Sequence, residues 1–113
     1  MKGKIFMINN VVLVGRLTKE IILRQTTNGI NTCSFTIACD RKNSKNNEAD
    51  FINCVAWRQS ADFLNKYARK GNKVGVEGRI TTRNYKNNNG QKVYVTEVTC
   101  EQVQVLESKN DNN

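Results

Sequence analysis

The sequence predicts an all-β domain: a small five-stranded barrel with one short helix between the third and fourth strands and an extended β-hairpin arm. Period-two alternation of apolar residues recurs in segment after segment, with turn signals at short intervals between them. A single stretch changes to helical spacing, and no βα alternation follows it. That combination points to an antiparallel barrel and away from a parallel sheet.

In the first strand Val11, Leu13, Gly15 and Leu17 alternate with Val12, Val14 and Arg16, so both faces are partly apolar. Residues 21–26 continue extended, and Asn28-Gly29 is a hairpin turn signal. In the second strand Cys33, Phe35, Ile37 and Cys39 share one face, and Thr32, Ser34 and Thr36 share the other. Residues 40–49 form a polar, basic loop. The third strand runs from Phe51 to Trp57.

Residues 60–70 bring Ala61, Leu64, Tyr67 and Ala68 to helical spacing. Ser60 is a candidate N-cap, Arg69 and Lys70 fall in the last turn, and Gly71 ends the helix. Phe63 and Tyr67 are expected in the core. The fourth strand alternates through Val74, Val76, Gly78 and Ile80, and its other parity carries Arg79, Thr81, Arg83 and Tyr85. Asn89-Gly90 turns the arm, and the fifth strand returns through Val93, Cys100, Val103 and Val105. Its apolar parity slips between Cys100 and Val103, which predicts a bulge. The order of three strands, helix, two strands is that of the OB fold.

The chain has 113 residues, room for one domain with a core that needs no staples. It contains 18 lysines and arginines against 10 acids, a net charge of +8. Such an excess suits a polyanion, either nucleic acid or an anionic membrane. Cys33, Cys39, Cys54 and Cys100 include no CxxC pair, and there is no histidine. The expectation is four free thiols in a reducing cytoplasm, with no metal and no cofactor. No signal-peptide pattern opens the chain, and no apolar run approaches a membrane span.

A protein that binds single strands without reading sequence needs cations for phosphates and flat rings for bases. Phe51 and Trp57 share one face of the third strand, opposite Ile52, Cys54 and Ala56. Alternation alone leaves open which of those faces fills the barrel. Arg83 and Tyr85 belong either to a solvated arm or to a binding face. Arg41, Lys42 and Lys45 sit in the polar loop, and Lys66, Arg69 and Lys70 suit a helix end as well as a ligand. Signatures of an enzyme are missing: there is no GxSxG and no P-loop, and the ten acids show no clustering.

The segments Asn10–Leu17, Leu23–Thr26, Phe51–Arg58, Tyr67–Gly71, Val76–Tyr85 and Tyr94–Val98 occur in an order and register that resembles the bacterial and phage single-stranded DNA-binding proteins. The resemblance covers residues 7–106. It leaves residues 1–6 as an N-terminal extension, with Met7 an alternative start, and residues 107–113 as a short disordered tail. It implies an OB fold, a homotetramer, and sequence-independent wrapping of single-stranded DNA in replication, recombination and repair. It implies a cytoplasmic protein, nucleoid-associated or in a host cytoplasm if phage-encoded. It places Phe51, Trp57 and Tyr85 outward as stacking rings. Arg24, Arg58, Arg69, Lys70 and Arg83 match basic positions along the DNA path, and Arg79 shares the strand face of Arg83.

Departures from the family pattern are visible. A further stacking position falls at Asn43, which offers no ring. The usual Asp-Pro after the first strand is Glu20-Ile21 here. The acidic tip through which cellular members recruit partners is not found before Asn113, so no such recruitment is expected. Three other readings remain at this point: an RNA-binding or primosome-associated OB module, a protein–protein adaptor and, as the weakest, a nuclease.

Overall fold

A computed structural model describes residues 6–43 and 45–107. Most of the predicted extension, residues 1–5, and most of the predicted tail, residues 108–113, lie outside the described residues. The elements in chain order are β1 (Val11–Leu17), β2 (Arg24–Gln25), β3 (Asn31–Asp40), β4 (Ala49–Trp57), α1 (Gln59–Tyr67), β5 (Lys73–Lys86) and β6 (Lys92–Glu107).

Five of these strands close into a ring, β1-β5-β6-β4-β3, with β3 returning to β1. This is the predicted five-stranded barrel, with the helix between its third and fourth ring strands. β2 is a two-residue addition that pairs Arg24 with Thr32 and Gln25 with Asn31. The turn between them is closed by Gly29 N–H donating to the Thr26 carbonyl at 2.9 Å. All pairings are antiparallel except β4 with β6, which run parallel through Cys54↔Val98, Val55↔Thr99 and Ala56↔Cys100. Beyond the barrel, β5 and β6 continue as the arm, paired out to Lys86↔Lys92.

The inward parity of each strand makes the core. Leu17, Cys33, Ile37, Cys54, Ala56, Val74, Val76, Val98 and Cys100 are buried there, joined by Ala61, Leu64 and Ala68 from the helical segment. The predicted bulge is present: Glu77 pairs with Gln102 but Gly78 pairs with Cys100, so Glu101 is the extra residue. The β6 parity slip is therefore a local insertion. Gly78 is where β5 touches that insertion, and a Cβ there would overlap the Thr99 carbonyl oxygen.

The helix differs from expectation at both ends. It begins at Gln59, and Ser60 lies inside its first turn instead of capping it. The N-cap is Arg58, which makes no side-chain cap bond. At the other end Ala68 is already extended, so Arg69 and Lys70 lie in the turn to β5 and not in the helix. That turn is held by buried Asn72, whose Oδ1 accepts from Arg69 N–H at 2.7 Å. Tyr67 is not a core residue. It ends the helix with 54% of its surface exposed and packs its ring against half-buried Phe63. A helix of about two and a half turns buries only one stripe, and Ala61 and Leu64 already occupy it.

All four cysteines are free thiols, three of them buried. Burial pushes the Cys33 thiol up to about 11. A hydrogen bond to Cys100, then burial, raises the Cys54 thiol. Thiols so protected are poor nucleophiles.

The bulge contact generates a prediction. Gly78→Ala forces the β5 and β6 backbones apart and should cost about 3 kcal/mol. Gly75→Ala, whose Cβ meets only Leu106 Cδ1 at 3.3 Å, should cost under about 1 kcal/mol. Urea unfolding of the two variants beside the parent chain measures both.

Candidate nucleic-acid interface

Residues directly opposite in a ladder project to the same side of the sheet. Outside the barrel, Thr32, Ser34 and Thr36 of β3 stand beside Trp57, Val55 and Asn53 of β4. Val55 stands beside Thr99 of β6, and Thr99 beside Arg79 of β5. Along the arm Glu97, Val95 and Val93 oppose Thr81, Arg83 and Tyr85. One surface, mostly of small polar side chains, therefore crosses four strands.

The three predicted rings lie on this surface and are exposed: Phe51 at 66%, Trp57 at 41% and Tyr85 at 49%. The face question on β4 is thereby answered, because Cys54 and Ala56 fill the barrel and Phe51 and Trp57 point away from it. Phe51 stands opposite Ala38, a side chain too short to cover it. Val55 is the outward residue that is nevertheless buried. It lies at the bottom of a groove of about 400 Å³ whose walls include Trp57, Thr81 and Arg83.

A second groove, of about 500 Å³, runs from Lys19, Ile22 and Arg24 across Thr36 and Asn53 to Arg83. The two share Ser34, Arg83 and Glu97, so they form one channel from Arg24 to Trp57. Beside Val55 its bottom carries hydroxyl and amide groups that bond to one another. Thr36 Oγ1 donates to Asn53 Oδ1 at 3.0 Å, and the Thr81 and Thr99 hydroxyls lie 2.7 Å apart.

The predicted cations separate into two groups. Arg83 Nε lies 3.1 Å from Glu97 Oε2, and Arg79 Nε lies 3.5 Å from Glu101 Oε2. Among the described residues Arg24, Arg58, Arg69 and Lys70 form no ion pair. Arg24 lines the channel; Arg69 and Lys70 follow the helix and line neither groove. Arg69 instead donates to the carbonyls of Ala68 and Asn65. In the polar loop Arg41 is paired with Asp50 at 2.9 Å, and the hydrogen bond to that carboxylate raises its already high pKa. Asn43 is exposed with φ 62°, a left-handed conformation that asparagine tolerates, and it presents no ring.

Sequence reasoning gave no role to Ser34, Asn53 or Glu97. The shared parity of Thr32, Ser34 and Thr36 was the available signal for the channel bottom. Glu97 carried no signal, since its position depends on pairings distant in sequence. Tyr94 is also exposed and unassigned, on the opposite side of the arm from Tyr85.

Arg58 joins β4 to the helix with φ 58° and ψ −123°, a conformation that glycine adopts freely and other residues resist. It is fixed by Arg58 N–H donating to Asn31 O at 2.7 Å and by Asp62 N–H donating back to Arg58 O at 3.0 Å. The kink takes the chain from the end of β4 directly into the helix.

Residues 8–106 match the family model described as the Single-strand binding protein family. The chain is 58% identical over 106 residues to a single-stranded DNA-binding protein of Enterococcus faecalis, covering 91% of this chain and 56% of that protein. It is 56% identical over 110 residues to single-stranded DNA-binding protein 1 of Streptococcus pyogenes, covering 94% of this chain and 83% of the relative. It is 51% identical over 109 residues to single-stranded DNA-binding protein 2 of Listeria monocytogenes, covering 94% and 68%. The chain thus spans little more than half the length of the first of these relatives.

The strained junction makes a test possible. Arg58→Gly should raise the free energy of unfolding by about 1 kcal/mol by releasing the positive-φ strain, net of the added chain entropy. Chemical denaturation of the variant reads that gain directly.

Proposed function

We propose, from the premise that the chain belongs to the Single-strand binding protein family, that it coats single-stranded DNA without reading its sequence and without catalysing a reaction. The observation that carries the reading is the channel. Three exposed rings and several cations share one outward surface, grooved between them and floored by Val55 and self-bonded hydroxyl and amide groups. Such a surface offers π-faces to any base and positive charge to the backbone. Phe51, Trp57 and Tyr85 stack bases. Arg24 and Arg58 attract phosphates, with Arg69 and Lys70 extending the basic field past the helix. Replication, recombination and repair all expose single strands, and the protein acts there, in the cytoplasm and on the nucleoid. No helix among the described residues is long and apolar enough to cross a membrane.

The protein works as a homotetramer on this reading. β1 is paired with β5 from Val11 to Arg16, but its other edge meets β3 only at Arg16 and Leu17. Val12, Val14 and Leu106 are exposed around a shallow depression beside that open edge. An unpaired edge next to apolar surface suits pairing with a second copy. This side of the barrel is separate from the channel, so assembly leaves the rings free.

The chain's single tryptophan reports on the site. Oligo-dT should quench Trp57 fluorescence, duplex DNA should not, and added salt should weaken the effect. Trp57→Ala, followed by anisotropy of a labelled strand, should lose about 1–3 kcal/mol of binding with the fold intact. RNA bound more tightly than DNA of equal length would instead mark an RNA-binding module, and no salt-dependent binding of either would mark an adaptor.

A further inference from the structure

The channel built for a polyanion contains a carboxylate. Glu97 lines both grooves, and its side chain is only 11% exposed, whereas that of its partner Arg83 is 55% exposed. The hydroxyls and amide around it are neutral: Ser34, Asn53, Thr81 and Thr99. Left alone, this carboxylate would repel a phosphate backbone laid along the channel. Arg83 Nε holds it at 3.1 Å, and the Arg83 guanidinium carbon lies 6.0 Å from the centre of the Tyr85 ring.

We propose that Arg83 serves single-strand binding by neutralising Glu97 and standing beside the Tyr85 ring, and not by holding a phosphate. This inference rests on the single-strand binding reading and adds to it a division of labour among the arginines. The counterions released on binding come from cations without ion-pair partners, such as Arg24 and Arg58. The general chemistry supports the division. Removing the partner of a largely buried carboxylate strands its charge, whereas removing both groups can be nearly neutral. A cycle of single and double variants separates the two roles.

The experiment uses the full chain and three variants, Arg83→Gln, Glu97→Gln and the double replacement. Each is titrated with oligo-dT over a range of salt while Trp57 fluorescence is followed. Arg83→Gln should weaken binding about tenfold or more, because it uncovers Glu97. Glu97→Gln should tighten binding and steepen the salt slope by about 0.7, since the released arginine becomes free to take a phosphate. The double variant should regain most of the lost affinity and the parent's slope. The inference is overturned if the double variant stays as weak as Arg83→Gln with a slope about 0.7 shallower than the parent's. That result would make Arg83 a phosphate contact in its own right, with the single-strand reading untouched. Failure of the parent chain to bind oligo-dT would overturn the functional reading itself, and this inference with it.

Discussion

The parallel pairing of β4 with β6 is the contact on which the rest of the molecule depends. Three residue pairs, Cys54↔Val98, Val55↔Thr99 and Ala56↔Cys100, turn a curled sheet into a ring. Inside, they bring Cys54, Ala56, Val98 and Cys100 together as core. Outside, they set the ring-bearing face of β4 beside β6 and, across it, the arginine-bearing face of β5. Without that closure Trp57 and Arg83 would belong to separate hairpins, and no channel would join them. The bulge at Glu101 and the glycine at 78 are the local devices that let β5 and β6 bend far enough to meet β4.

Charge is the second organising element, and the count of 18 lysines and arginines overstates the cations a ligand would meet. Arg41, Arg79 and Arg83 are each within ion-pair distance of a carboxylate. Exposed pairs such as Arg79 with Glu101 contribute little to stability, but they do change which cations are free to replace counterions on a strand. Overall charge therefore describes attraction at a distance, and the pairing pattern describes contact.

Much of this was legible in the chain. Period-two alternation located all five ring strands, and the parity slip before Val103 located the bulge, because both are local consequences of strand geometry. Phe51, Trp57 and Tyr85 could be picked out as rings but not assigned a direction by alternation. Either face of β4 could have filled the barrel, and the family resemblance rather than the pattern placed them outward. What escaped has a common cause. Glu97 meets Arg83 through a pairing that links residues 14 apart across the arm, and no periodicity records such a partner. The helix start was misplaced because Arg58 takes a conformation its residue type disfavours. Tyr67 was misplaced because helical spacing does not say how wide the buried stripe is.

The central claim is that single-stranded DNA lies along the outward face of β3, β4, β6 and β5. Photo-crosslinking with an oligonucleotide carrying 5-iodouracil, followed by mass spectrometry of the peptides, tests it most directly. The account predicts crosslinks at Phe51, Trp57 and Tyr85, and none at Val12, Val14 or Leu106 on the far side of the barrel. Crosslinks confined to that far side, with the three rings unmodified, would contradict it.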